Sequence, residues 1–251
     1  MDTAAGRTPA VYDRIGTGYS DIRVPDPRLH ALISRALEGA RTIVNVGAGA
    51  GSYEPEHAKI TAVDPSQVML DQHPAARKVR AGAEALPFPD GSFDAAMAVL
   101  TVHHWPDPHR GLGELRRVAR RQVVFTWDPG HPQELWLIEE YLPEIRDMDH
   151  ARFTPVAEVA DALGAHTVLP FPIPRDFTDG FQSAHWQRPE RYLDPAVRQA
   201  SSTFAQLPPS VVEPAIERLR ADLDSGLWHR RHADLLDRES MDYGYRLVIA
   251  G

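Results

Sequence analysis

Gly47, Gly49 and Gly51 close the apolar run Ile43-Val44-Asn45-Val46, and no other stretch of the chain is better suited to holding a ligand. A glycine turn lets backbone approach a ligand to van der Waals contact, because no Cβ stands between them. In an α/β protein, the crevice beyond the carboxyl end of the first strand is where nucleotide-like cofactors lie. The spacing is G-x-G-x-G. The dinucleotide fingerprint needs its third glycine one position later, and the phosphate loop needs a Lys that this turn lacks. Asp64 closes the next apolar run. A carboxylate there is the device that takes ribose hydroxyls in dinucleotide folds; the alternative is a cap for a helix starting at Pro65.

Other candidate residues follow the fourth and fifth apolar runs. On extended backbone His103 and His104 point to opposite sides. One of them, taken here as His104, faces the crevice, and His103 is read as structural. An imidazole titrating near working pH can accept a proton from a substrate hydroxyl or amine; a hydrogen-bonded structural role is the alternative for His104. Trp127, Asp128 and His131 overlook the same crevice, with Asp128 or His131 orienting a substrate and a helix cap as the other reading of Asp128. His103, His104 and His109 supply too few ligands for a metal, so none is expected.

Composition narrows the classes. With 251 residues, 43% hydrophobic and 25% charged, the chain has the balance of a globular enzyme and the length of one large α/β domain or of one domain carrying an insertion. A net charge of −8 speaks against nucleic acid as a partner. No apolar run is long enough to insert in a membrane. The first seven residues lack the apolar core of a signal peptide, and cysteine is absent; both fit a reducing cytoplasm. Lysine occurs only at Lys59 and Lys78, a bias typical of a GC-rich bacterial genome.

Short apolar runs at 41–46, 59–63, 77–80, 93–99 and 121–127 alternate with polar or helical stretches, the mark of βαβ units and a mainly parallel sheet. Amphipathic spacing predicts helices over 27–37, 107–119, 132–145 and 155–163. Strands are expected at 167–171 and 243–250. The intervening 177–238 reads as almost wholly helical, broken at Pro208-Pro209 and Ser225-Gly226. The expected organisation is therefore a lid and helix over 1–40, an α/β core over 41–176, a helical cap over 177–238 and a last core strand over 239–251. Phe177, Phe181, Trp186, Tyr192 and Trp228 of the cap either line a substrate chamber or form its core.

Several motifs stand in one register. The glycine turn, Asp64 after Ile60-Thr61-Ala62-Val63, the run Gly82-Ala83-Glu84-Ala85-Leu86-Pro87-Phe88 with Ser92-Phe93-Asp94, and Val99-Leu100-Thr101-Val102-His103-His104-Trp105 together resemble the class I S-adenosylmethionine (SAM) methyltransferases. The A-E-x-L-P-F…S-F-D signature is similar to the branch holding the ubiquinone and menaquinone methyltransferases. The resemblance covers roughly residues 10–130. It implies a doubly wound, mainly parallel seven-stranded sheet and SAM as cofactor. It places Asn45, Gly47, Ala48, Gly49 and Gly51 at the methionine side, and Asp64, followed by Pro65, Ser66 and Met69, at the ribose. Ala83 and Glu84 face the adenine, Leu100 and Thr101 lie beneath the methionine, and Tyr12, Tyr19 and Arg23 belong to a lid. Two positions depart from the family: Asn45 stands where an acidic residue is usual, and Gly82 where an aspartate is usual. The reaction implied is methyl transfer to a small molecule, on O, N or C. A SAM-binding cyclase would keep the same cofactor residues, and a nicotinamide oxidoreductase would share the strand–loop geometry. Whether the chain pairs as a homodimer stays open.

Overall fold

The computed structural model describes residues 22–251. Among the described residues, helix α1 (Pro27–Ala36) starts where Asp26 accepts the Arg28 amide, with Pro27 at the first helical position. Strand β1 (Thr42–Val46) leads through the glycine turn to β2 (Lys59–Asp64). Then come α2 (Gln67–Gln72), β3 (Arg77–Arg80), β4 (Phe93–Val99), α3 (Pro108–Val118) and β5 (Ala119–Trp127). At the start of helix α3, Asp107 accepts the Arg110 amide.

The seven strands of the main sheet run in the order β3-β2-β1-β4-β5-β9-β6, where β6 is Thr167–Pro170 and β9 is Tyr245–Ala250. Strands β1 to β5 pair in parallel, and β9 is antiparallel to both neighbours. The mainly parallel, doubly wound sheet expected from the sequence is the one found. Its two faces bury separate sets of side chains, because alternate residues of a strand point opposite ways. Ile43, Met97 and Phe125 pack with α1 and the later helical region. Val44, Val46, Ala96 and Ala98 pack with α3.

Two expectations need correction. The single helix expected over 132–145 is absent. Pro143 has no amide to give and breaks the pattern, leaving α4 (Trp136–Glu140) and α5 (Glu144–Arg152). Helix α6 (Val156–Leu163) agrees with the expected 155–163 and ends at Gly164 in the left-handed conformation. The segment 177–238 is less regular than its pattern: short 3-10 turns precede α7 (Pro195–Gln199), α8 (Pro209–Asp224), α9 (Leu227–Arg231) and α10 (Ala233–Leu236). A two-residue ribbon, with β7 (Ile173–Pro174) against β8 (Ser240–Met241), ties the two ends of this segment together.

Candidate functional site

The glycine turn is fixed from two sides. Gly47, Gly49 and Gly51 all have positive φ, at 74°, 54° and 95°. At Gly47 a Cβ would lie 1.9 Å from Thr101 Oγ1, so only glycine fits against the segment that follows β4. Asp64, at the tip of β2, accepts the Gly49 amide on Oδ2 at 2.9 Å and the Ser66 amide on Oδ1 at 2.8 Å. The N-cap of α2 is Ser66, which accepts the Met69 amide. The helix-cap reading of Asp64 is thereby corrected: its carboxylate holds the glycine turn. Met69 also faces the turn, with its Cε 3.4 Å from where a Gly49 Cβ would lie.

Parallel strands are usually joined through a helix, but no helix follows this turn; residues 47–58 cross to β2 as a series of tight turns. Tyr53, at φ 64°, and Glu54 brace them. The Tyr53 hydroxyl donates to Asp179 Oδ2 at 2.7 Å. Glu54 Oε1 accepts from Asn45 Nδ2 at 2.8 Å and from His73 Nε2 at 2.9 Å. His73 Nδ1 accepts the Ala75 amide, so the His73 proton sits on Nε2 and points at Glu54. Glu54 and His73 are parts of this site that sequence reasoning missed. Asn45, singled out as a departure, is where a carboxylate on another loop makes contact.

The loop after β3 is clamped from α3. Glu114 accepts the Leu86 amide, and Arg117 bonds Glu114, the Leu86 carbonyl and the Phe88 carbonyl. Ala83 is buried and lies beside Gly111 and Trp105. Glu84 Oε1 faces the Asp107 amide at 3.4 Å, and its other oxygen fills the space over Gly82.

Beyond the tips of β4 and β5 lies a cleft open to solvent. Leu100, His103 and Trp127 form the wall at the strand tips; Phe153 and Phe181 add rings, and Asp149 adds a buried carboxylate. Leu100 is held at φ 51°, a strained conformation for a branched side chain, while its N–H donates a hydrogen bond to the Phe125 carbonyl. Arg23 lines the cleft and is ion-paired with Asp179.

Residues 44–126 match the methyltransferase domain family. A crystal structure from Anabaena variabilis, described as a candidate methyltransferase from an antibiotic biosynthesis pathway, is 32% identical, with a TM-score of 0.84 over 92% of this chain and 99% of that one. The chain belongs to the class I SAM-dependent methyltransferases. The rice 2-methyl-6-phytyl-1,4-hydroquinone methyltransferase 2 is 29% identical over 53% of this methyltransferase and 45% of its own length. This chain spans about half the length of the first curated relatives it matches. The cyclase SpnF, 16% identical with a TM-score of 0.55 over 97% of this chain and 98% of its own, shares the fold.

Several residues expected at the site of this methyltransferase fall elsewhere. His103 and His104 do not alternate on a strand: they lie in the 3-10 turn Val102–His104, with ring centroids 3.9 Å apart. His103 stacks on Phe153 and lines the cleft; His104 does not. Arg152 Nη2 lies 3.1 Å from His104 Nδ1, which makes that nitrogen the acceptor. Burial, with Arg152 and Arg23 nearby, pushes the His104 imidazole down to about 3. That geometry argues against a proton-accepting His104. Asp128 Oδ1 faces the amides of Gly130 and Val156, closing a turn and holding the start of α6. His131 Nδ1 accepts the Gln133 amide, and its ring packs over Gly244. Neither lines the cleft, where Gln133 and Glu134 stand instead. Of the five cap aromatics, Phe181 reaches the cleft while Phe177, Trp186, Tyr192 and Trp228 are fully buried core. Tyr12 and Tyr19 lie outside the described residues. Among the described residues no group of side chains could hold a metal ion, and no helix is long and apolar enough to cross a membrane.

Proposed function

We propose that the protein transfers a methyl group from SAM to a small molecule held in the cleft beyond β4 and β5. The observation carrying this reading is the Asp64 carboxylate, which accepts the Gly49 amide and closes the glycine turn at the tips of β1 and β2. A carboxylate offers about four lone-pair sites, and two backbone amides aim this one at the turn. The residues fit an adenosyl sulfonium: backbone without Cβ at Gly47 and Gly49, a carboxylate suited to paired ribose hydroxyls, and the clamped loop at Ala83 and Glu84 for the base. SAM supplies a methyl group already activated on a positively charged sulfur.

The chain's own contribution is then mainly placement. Leu100 lines the cleft and its neighbour Thr101 abuts Gly47, so an acceptor seated among Trp127, Phe153 and Phe181 would meet the donor there. Holding two reactants in line is worth up to ~7–11 kcal/mol of a barrier. Aromatic walls keep water from the aligned pair. His103, neutral because burial pushes its imidazole well below the ordinary range, gives the wall a hydrogen-bonding atom without charge. A crystal grown with S-adenosylhomocysteine tests the reading. Density with its ribose on Asp64 and its sulfur toward Leu100 is expected; a crevice that stays closed by side chains overturns it.

A further inference from the structure

We propose that the cleft selects acceptors bearing a protonated amine, which docks on Asp149 while the rest of the molecule lies among the aromatic rings. This rests on the methyl-transfer reading above and adds the class of acceptor. Among the described residues, three side chains with formal charge line the cleft: Arg23, Glu134 and Asp149. Arg23 is ion-paired with Asp179, and Glu134 with Arg146. Asp149 forms no ion pair among the described residues. Its donors are neutral: Thr203 Oγ1 at 2.8 Å to Oδ1, and Gln182 Nε2 at 3.3 Å to Oδ2. Arg152, one turn further along α5, directs Nη2 to His104 instead. Among the described residues, Asp149 is therefore the one charged group of the lining with no ion pair, and Arg152 and His150 act on it only through space.

A buried carboxylate in that state is costly unless a cation joins it. Asp149 is 5% exposed, and burial pushes its carboxyl up, the direction a bound ammonium would reverse. Thr203 and Gln182 fix the carboxylate's orientation and leave it lone-pair sites for a further donor. The rings suit the same ligand. Trp127 and Phe153 meet edge to face with centroids 5.1 Å apart, and Phe181 lies 4.6 Å from Tyr245; aromatic faces attract cations. An anionic acceptor would be repelled by Asp149, and a neutral one would leave it without an ion pair. An ammonium has no lone pair, so the group held by Asp149 is an anchor, and the methyl goes to another nucleophile on the same molecule.

Calorimetric titration of the full chain with phenethylamine, 2-phenylethanol and 3-phenylpropionate, each with and without saturating S-adenosylhomocysteine, tests this. The amine is expected to bind about ten-fold more tightly than either isostere. In Asp149→Asn that advantage disappears, while the melting temperature and the affinity for S-adenosylhomocysteine stay near wild type. Equal binding of the three probes, no binding of any, or an amine preference that survives in Asp149→Asn overturns the proposal. Failure of S-adenosylhomocysteine itself to bind overturns the methyl-transfer reading instead, and the titrations without it keep the two outcomes apart.

Discussion

Asn45 Nδ2 and Glu54 Oε1 are 2.8 Å apart, joining β1 to the loop that leaves the glycine turn. Asn45 is 3% exposed, and the same Glu54 oxygen also accepts from His73. The pair explains why this chain carries an amide where an acid is usual in its family. A carboxylate at position 45 would face another carboxylate with little water between them.

Asn45→Asp is accordingly expected to destabilise the fold by about 2–4 kcal/mol at neutral pH. The paired acids would share a proton, raising a folded-state pKa above its unfolded value. Stability is then retained at low pH and lost as pH rises through the raised pKa. Chemical denaturation at pH 5 and pH 8 should show the larger deficit at pH 8. Adding Glu54→Gln should restore most of it; an Asn45→Asp protein as stable as wild type at both values would contradict the pairing.

Gly47→Ala places a methyl group 1.9 Å from Thr101 Oγ1 at a positive φ. Overpacking and backbone strain together are expected to cost about 2–4 kcal/mol. Gly113→Ala is the control, since open space surrounds it and its helix would gain stability. Urea midpoints that move equally in the two variants would rule out the tight contact at Gly47.

His104 is expected to stay neutral, with its proton on Nε2, throughout the physiological range. Its folded pKa of about 3 lies below the unfolded value of 6.5. Its contribution to stability is therefore full above pH 6.5 and is lost as pH falls toward 3. Long-range proton–nitrogen spectra should show an unprotonated Nδ1 at pH 6. An imidazolium signature at that pH would contradict the Arg152 contact. The same histidine should leave no inflection near pH 6.5 in a methyl-transfer profile.

Arg117 is bonded to Glu114 and to the carbonyls of Leu86 and Phe88, so Arg117→Met frees the loop that follows β3. A loss of about ten-fold in affinity for S-adenosylhomocysteine is expected, in line with one or two hydrogen bonds' worth of positioning. Amide exchange in residues 83–90 should quicken at the same time. Unchanged exchange would show that the clamp does not set the loop's order.

The sheet was legible because its strands are near-continuous apolar runs between turn residues, as at 43–46 and 93–99. The glycine turn and Asp64 were legible because their residue types have few other uses at strand tips. What the sequence hid was contact across distance. Nothing local marks Asp149 as part of a cleft: its donors, Gln182 and Thr203, come from a segment far along the chain. The histidine pair misled for a different reason. Extended backbone was assumed past Val99, but Leu100 turns left-handed and the chain coils into a 3-10 turn. Helix periodicity over 132–145 was genuine as a pattern of burial, and Pro143 overrode it.

Calorimetric titration of wild type and Asp64→Ala with S-adenosylhomocysteine bears most directly on the claim that the crevice at the strand tips holds the cofactor. One binding event per chain is expected for wild type. Removing the carboxylate that orders Gly49 and Ser66 should weaken it at least about ten-fold, the equivalent of one or two hydrogen bonds. No heat for wild type at millimolar ligand, or equal affinities for the two proteins, would contradict it.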